Sequence, residues 1–86
     1  MPEISRFLGI VIAMYYNDHS PPHFHARYGD SEIRVNIKNG AIMSGEFPRR
    51  ASRLVLEWLE LHRTELLKDW GLAQDRKPLI KIEPLE

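Results

Sequence analysis

The residue types best suited to chemistry are concentrated in residues 17–28, which read NDHSPPHFHARY. Three of the chain's four histidines, His19, His23 and His25, lie within this stretch. On an extended strand, residues i and i+2 project from the same face, which places His23, His25 and Arg27 in one row. Imidazoles titrate near neutral pH and ligate transition metals, and guanidinium groups bind phosphate. The stretch therefore predicts either a functional site or a polar outer face of the sheet whose histidines hydrogen-bond loop carbonyls.

One chemistry that fits these residues is acid–base catalysis on RNA without a metal ion. His23 or His25 would take or give the proton of the 2′-hydroxyl group. Arg27 and Arg34 would stabilise the negative charge that grows on the phosphate in the transition state. These four side chains are the candidate catalytic residues of this hypothesis, which requires no cofactor.

A metal site is the alternative chemistry. His23 and His25 would supply two imidazole ligands, and His19 or Asp18 from the preceding loop would supply a third. Three nitrogen and oxygen ligands with an open coordination position suit zinc or another divalent transition metal. The sequence leaves the choice between these two chemistries open.

A second group of candidate residues, Arg49, Arg50 and Arg53, lies at the start of a predicted helix. Positive charge at a helix N-terminus is disfavoured by the helix dipole, by roughly 0.3–1 kcal/mol per charge. A compensating anion, such as a nucleic acid phosphate or an acidic partner, is one interpretation. The alternative is a solvated basic turn that Glu46 and Glu57 offset.

The elements that must position these residues begin with strands. Residues 7–16 are almost continuously apolar, which predicts a first, central strand buried on both faces. Three further strands are predicted from alternation and turn residues, at residues 23–28, 32–38 and 41–45. Asn39 and Gly40 predict a type I′ hairpin turn between the last two strands.

The second half of the chain has a helical period instead. Apolar residues recur at spacings of three and four, which predicts helices at residues 48–62 and 64–75, with one long helix as the alternative. His62 falls in the apolar stripe and is expected to be a hydrogen-bonded core residue. Trp58 and Trp70 are expected to be core or interface anchors.

These elements predict an α+β domain with an antiparallel four-stranded sheet and one or two C-terminal helices packed on one face. The single domain 1–86 divides into a β-sheet half (1–47), a helical half (48–75) and a C-terminal arm (76–86). The arm is predicted to be an edge strand or to lie on a neighbouring molecule. The other face of the sheet is expected to stay open and to carry the histidine–arginine row.

Composition limits the class of protein. The 86 residues include no cysteine, which excludes disulfides and thiolate chemistry, and the net charge is zero. The longest apolar run, residues 10–16, is far shorter than the ~20 residues of a membrane span. The first residues lack the features of a signal peptide. We therefore expect a cytoplasmic protein that does not bind membranes.

Several motifs resemble those of a family of small bacterial proteins of unknown function. They are NDH at 17–19, PPHFHA at 21–26, LEW at 56–58 and the closing KPL and IEPL segments. The resemblance covers essentially the whole chain. It implies one half of a two-gene module similar to toxin–antitoxin pairs, with a small partner protein encoded nearby. It attaches no role to any residue.

Three functional hypotheses follow. The first is a toxin-like effector, a metal-independent ribonuclease acting through the histidine–arginine face. The second is a non-enzymatic module that recognises a partner protein or operator DNA, and the third is a metal-binding enzyme. The enzyme hypotheses predict that alanine at His23 or His25 abolishes function with little loss of stability. The size of the chain also allows a homodimer.

Overall fold

The computed structural model describes residues 2–86, which form one antiparallel sheet of five strands followed by one helix. The elements are β1 (Glu3–Phe7), β2 (Ile10–Ala13), β3 (His23–Tyr28), β4 (Ser31–Asn36), β5 (Ile42–Gly45) and α1 (Arg49–Gln74). Each strand pairs with the next along the chain, so that β1 and β5 form the edges. The predicted α+β class is confirmed.

The prediction of four strands was wrong, because the apolar residues 7–16 are not one strand: β1 and β2 form a hairpin over residues 3–13. Leu8 and Gly9 link β1 to β2, and both have positive φ, 52° and 82°, as a type I′ turn requires. Leucine rarely adopts this conformation. The single glycine inside an apolar run was therefore the one sequence signal for the turn.

The connection between β4 and β5 also differs from the predicted type I′ turn. Gly40 has a positive φ of 75°, but Asn39 does not. The side chain of Asn36 accepts a hydrogen bond from the backbone N–H of Lys38 (2.8 Å), and that of Asn39 accepts one from Ala41 (2.9 Å). These local side-chain bonds stabilise a longer loop in place of the tight turn.

The core lies between α1 and one face of the sheet. Phe24 of β3 is fully buried and pairs with Val35 of β4, which is also fully buried. Trp58 of α1 contacts the rings of Phe7 and Phe24, with ring centroids 5.4 Å and 5.8 Å away. Burial of each large side chain stabilises the fold by about 1.5–3 kcal/mol. Trp58 is thus the core anchor that the sequence predicted.

The helical half is one helix with a kink at His62, whose φ of −127° and ψ of 22° are not helical. The side chain of His62 is 15% exposed and bonds to Glu65 through Nδ1, 2.6 Å from Oε1. The break predicted between helices 48–62 and 64–75 therefore lies at His62, where the chain bends without ending the helix. No helix within residues 2–86 is both long and apolar enough to cross a membrane.

The C-terminal arm, residues 76–86, packs against its own chain and forms no strand. The backbone N–H of Ile82 donates to the carbonyl oxygen of Ile4 in β1 (2.8 Å). The indole Nε1 of Trp58 donates to the carbonyl oxygen of Glu83 (2.8 Å). The arm therefore covers part of the β1 edge and of α1.

Asp69 is a buried carboxyl group of α1 that holds this arm. It is 1% exposed, and its Oδ1 accepts a hydrogen bond from the backbone N–H of Ile80 (2.9 Å). Its Oδ2 is buried and has no hydrogen-bond partner among residues 2–86. Burial raises the pKa of Asp69, and the hydrogen bond from Ile80 offsets only part of that effect.

Candidate functional site

Asp18, His23 and His25 converge where the loop after β2 enters β3. Nε2 of His23 lies 3.0 Å from Oδ2 of Asp18, and Nε2 of His25 lies 3.4 Å from the same oxygen. One ligand atom from each residue lies within 4.8 Å of the other two. Within residues 2–86, this is the one group of three or more such side chains with the spacing of a metal site.

The loop that carries Asp18 is held in place by the last turn of α1. The backbone N–H of Asn17 donates to the carbonyl oxygen of Ala73 (3.2 Å), and Nε2 of Gln74 donates to the carbonyl oxygen of Asp18 (3.2 Å). Asn17 has a left-handed φ of 55°, which asparagine tolerates better than most residues. The end of α1 thereby fixes Asp18 above the two histidines.

His23 is the buried member of the cluster. It is 1% exposed, and its ring packs against Trp70 with ring centroids 5.2 Å apart. Its Nδ1 lies 2.7 Å from the carbonyl oxygen of Pro21. A carbonyl oxygen only accepts hydrogen bonds, so Nδ1 carries a proton. Sequence analysis placed His23 on an open face of the sheet, but the end of α1 and the loop that contains Pro21 and Pro22 cover it.

His25 is the accessible member of the cluster, with its side chain 14% exposed. Its Nδ1 lies 3.2 Å from Oε2 of Glu32, a carboxylate that also only accepts. The ring of Tyr15 meets the His25 ring edge-on, with centroids 4.4 Å apart. Glu32 and Tyr15 together fix the ring orientation and direct Nε2 toward Asp18.

The two Nε2 atoms therefore share one acceptor oxygen, while each Nδ1 already donates elsewhere. Hydrogen bonds alone would require a proton between each Nε2 atom and the shared oxygen, in addition to the protons on both Nδ1 atoms; the two ring centroids are 5.4 Å apart. A divalent cation among the three ligand atoms satisfies all of them with neutral imidazoles. A histidine that binds a metal through one ring nitrogen usually donates the N–H of the other to a carbonyl or carboxylate oxygen.

The spacing of the ligand atoms also suits a metal ion. Metal–ligand bonds of about 2.0–2.2 Å place neighbouring ligand atoms roughly 2.9–3.5 Å apart in octahedral or tetrahedral sites. The separations of the two Nε2 atoms from Asp18 Oδ2, 3.0 Å and 3.4 Å, fall within that range. Two imidazole nitrogens and one carboxylate oxygen suit a divalent transition metal and leave at least one position open.

The surroundings of Asp18 favour its ionised form. Partial burial by itself would raise the pKa of Asp18, but hydrogen bonds from the backbone N–H of His19 and from the His25 ring lower it. The positive charge available at His23 lowers it further, and the net pKa lies below the usual value. The His19 bond, 2.8 Å long, binds Oδ1 and leaves Oδ2 facing the histidines.

The remaining residues of the predicted catalytic and metal sets lie around this cluster. The side chain of His19 is exposed and lies outside it. Arg34 pairs directly with His25 across β3 and β4, and its Nε donates to Oγ of Ser44 (2.8 Å). Arg27 lies two residues beyond His25 on β3, so both arginines share its face of the sheet.

The arginine cluster at the start of α1 is separate from the histidine site. Arg49, Arg50 and Arg53 are exposed, and no acidic residue lies in the first turn of the helix. Asp18 instead contacts Gln74, in the last turn of the same helix. The structure therefore does not bring the two predicted sites together.

Glu32 is a site residue that is not among the candidates from sequence analysis. A two-residue connection of Gly29 and Asp30 sets the register of β3 and β4, in which His25 pairs with Arg34 and Arg27 pairs with Glu32. Glu32 is thus the diagonal neighbour of His25, within reach of a long side chain. The register of this short turn was the signal that could have found it.

Comparison with protein families gives a match over most of the chain. Residues 9–71 match a family described only as a domain of unknown function, DUF4160. The matched region includes Asp18, His23 and His25. Comparisons with curated proteins and with solved structures give no significant match. The family description names neither an activity nor a two-gene organisation, and both stay predictions.

Proposed function

The chain belongs to the DUF4160 family, whose description names no activity. From the geometry of the site, we propose that Asp18, His23 and His25 bind a divalent transition metal ion. The observation that carries the proposal is the convergence of two Nε2 atoms on one carboxylate oxygen while each Nδ1 faces an acceptor. Zn²⁺ is the simplest ion that suits this ligand set.

The ligand number favours a catalytic role over a structural one. Structural zinc sites are closed by four protein ligands, whereas catalytic sites use three and keep a position for water or substrate. A metal ion in such a site supplies an activated water molecule near neutral pH. Arg27 and Arg34 share the sheet face of His25, and guanidinium groups bind phosphate. The proposed reaction is hydrolysis of a phosphate ester, for example in RNA.

The three ligands have different roles because they differ in burial. His23 acts as a ligand locked beneath Trp70, and it does not reach a substrate. His25 is the ligand on the accessible side, and Glu32 keeps its Nδ1 protonated so that Nε2 is available. Hydrogen bonds from Gln74 to Asp18 and from Asn17 to Ala73 hold the loop of Asp18 in position, which pre-organises the carboxylate.

Metal titration of the purified, chelator-treated protein tests the proposal. We expect the wild type to take up a single equivalent of Zn²⁺ or Co²⁺, and His25→Ala to lower the affinity at least about 100-fold. His19→Ala is the matched control, because it removes a histidine of the same segment that lies outside the cluster. A wild type that binds neither ion, or equal losses in both variants, would contradict the proposal.

The second candidate is metal-independent acid–base catalysis on RNA, which the direct pairing of His25 with Arg34 favours. His25 would transfer the proton, Arg27 and Arg34 would hold the phosphate, and buried His23 would orient Asp18. Such an activity would suit the effector half of a two-gene module, restrained by a small partner protein.

RNA cleavage with and without a chelator separates the two candidates. Cleavage that a chelator abolishes and Zn²⁺ restores supports the metal-dependent reaction, whereas cleavage unaffected by a chelator supports the second candidate. Growth of a bacterial host that expresses the wild type or His25→Ala tests toxicity. If the wild type neither cleaves RNA nor slows growth, both RNA proposals fail, and the metal titration still decides whether the site binds an ion.

A further inference from the structure

An apolar groove lies at the other end of α1 from Asp18, between the β1–β2 turn and the first turns of the helix. Its volume is about 490 Å³. Its walls include Leu8, Tyr28, Pro48, Ala51 and Leu54, and Arg50 lies at its edge. We call it the Leu8 groove. It shares no residue with the proposed metal site and is independent of it.

Two walls of the Leu8 groove expose large apolar side chains. Leu8 is 62% exposed and Tyr28 is 40% exposed. The wall geometry is fixed, because the turn at Gly9 approaches the Tyr28 ring so closely that a Cβ atom at Gly9 would lie 3.1 Å from Cε1. The Tyr28 ring also packs against Phe47, with centroids 6.2 Å apart. These two contacts position the Tyr28 wall of the groove.

The Leu8 groove is positively charged on its helix side, where Arg50 is one of its lining residues. Arg49 and Arg53, in the same first turns of α1, are exposed as well, and none of the three arginines forms an ion pair with a carboxylate within residues 2–86. The first turn of α1 contains no acidic residue, and Pro48 provides no side-chain cap. The helix dipole adds further positive potential at this end. The charge at this edge is complementary to an acidic ligand.

We propose that the Leu8 groove docks an acidic segment of a partner protein. One aliphatic side chain of the segment inserts between Leu8, Tyr28 and Leu54, and a flanking carboxylate pairs with Arg50. An apolar anchor surrounded by polar contacts is the usual anatomy of a protein interface. Most of the walls are aliphatic, and Tyr28 is the one aromatic side chain among the lining residues, so that an aliphatic side chain finds more complementary surface than a nucleic acid base, which binds by stacking on aromatic rings.

The proposal is tested by fluorescence anisotropy with a short labelled peptide in which leucines alternate with pairs of glutamates. A control peptide carries lysine in place of each glutamate. We expect the wild type to bind the acidic peptide and not the basic one. Leu8→Asn and Arg50→Glu are each expected to weaken binding at least about tenfold.

Two controls separate binding from folding and from net charge. Leu8→Asn keeps the fold, because asparagine adopts the positive φ of this turn more readily than leucine, and its melting temperature should equal or exceed that of the wild type. Lys77→Glu makes the same charge change as Arg50→Glu at the far end of α1 and should leave binding unchanged.

Absence of wild-type binding to the acidic peptide would overturn the proposal, as would equal binding of the basic peptide or undiminished binding by Arg50→Glu. A single-stranded oligonucleotide that binds with the same dependence on Leu8 and Arg50, while the acidic peptide does not, would assign the groove to nucleic acid instead. The measurement is made on the full chain with and without Zn²⁺, so that its result does not depend on the metal site.

Discussion

At the scale of single residues, the candidate site depends on which nitrogen of each histidine is already engaged. The carbonyl oxygen of Pro21 engages Nδ1 of His23, and Glu32 engages Nδ1 of His25. Both Nε2 atoms are consequently left facing Asp18. Histidine does not prefer this orientation by itself; the acceptors around each ring impose it.

Glu32→Ala should weaken metal binding although Glu32 is not a ligand. Its carboxylate holds the Nδ1 proton of His25, and loss of such an outer partner lowers metal affinity about 10–100-fold. A competition titration of Zn²⁺ against a chelating dye measures the effect. Glu46→Ala, at an exposed glutamate that makes no contact with the cluster, is the control. Equal affinities in the two variants would rule out this role.

His23→Ala should destabilise the fold, in contrast to the expectation from sequence. Its ring is buried against Trp70 and makes hydrogen bonds at both nitrogens. Removal leaves a cavity and unpaired acceptors, which we expect to lower the free energy of unfolding by about 2–4 kcal/mol. Urea denaturation of the metal-free protein measures this, with His25→Ala expected to lose less. A larger loss of stability in His25→Ala than in His23→Ala would contradict the burial of His23.

At the scale of elements, α1 contacts three other parts of the molecule, and its amphipathic pattern does not predict which residue makes which contact. Its middle covers the sheet with Trp58, and its last turn binds the loop of the candidate site through Ala73 and Gln74. Between these two regions the helix bends at His62. The third contact, from Asp69 to Ile80, attaches the C-terminal arm.

Asp69→Asn should change how stability depends on pH. Burial raises the pKa of Asp69 in the folded state, so the folded chain holds this proton to a higher pH than the unfolded chain. The contribution of the protonated Asp69 carboxyl to the free energy of unfolding is therefore fully present below the pKa of the unfolded state, about 4. It is lost as the pH rises through the pKa of the folded state. We expect the free energy of unfolding of the wild type, relative to Asp69→Asn, to fall from acidic to neutral pH. Parallel pH profiles in denaturant titrations would contradict this.

At the scale of the whole molecule, the C-terminal arm joins the two ends of the described chain. Ile82 is 4% exposed and bonds to Ile4 of β1, while the carbonyl oxygen of Glu83 accepts from Trp58. An unpaired edge strand invites association with other chains, and the arm covers part of the β1 edge. Its contacts combine sheet and helix into one core.

Deletion of residues 78–86 should destabilise the molecule strongly. It removes the buried Ile82 side chain and leaves the indole N–H of Trp58 and the carboxyl of Asp69 without their partners. We expect a loss of about 3 kcal/mol or more in the free energy of unfolding, measured by urea denaturation followed by tryptophan fluorescence. Removal of the exposed Glu86 alone is the control. Unchanged stability after the longer deletion would show that the arm is dispensable.

The sequence by itself determined the features that depend on local periodicity. Alternation along residues 23–28 predicted that His23 and His25 lie on one side of a strand, and the spacing beyond residue 48 predicted the helix that covers the sheet. These patterns reflect chain geometry within a few residues. The hairpin at Leu8 and Gly9 escaped prediction because leucine adopts a left-handed conformation there, against its intrinsic preference.

Only the tertiary structure decided what the histidines face. Glu32 reaches His25 through the register of two strands, and Trp70 buries His23 from a helix distant in the chain. Gln74 holds Asp18 over both histidines. The type of a side chain determines which hydrogen bonds it can form. Which of them a histidine does form depends on acceptors that folding brings together from distant parts of the chain. For that reason the sequence predicted where the site lies, and the fold alone selected which histidine is buried, which is accessible and which lies outside the site.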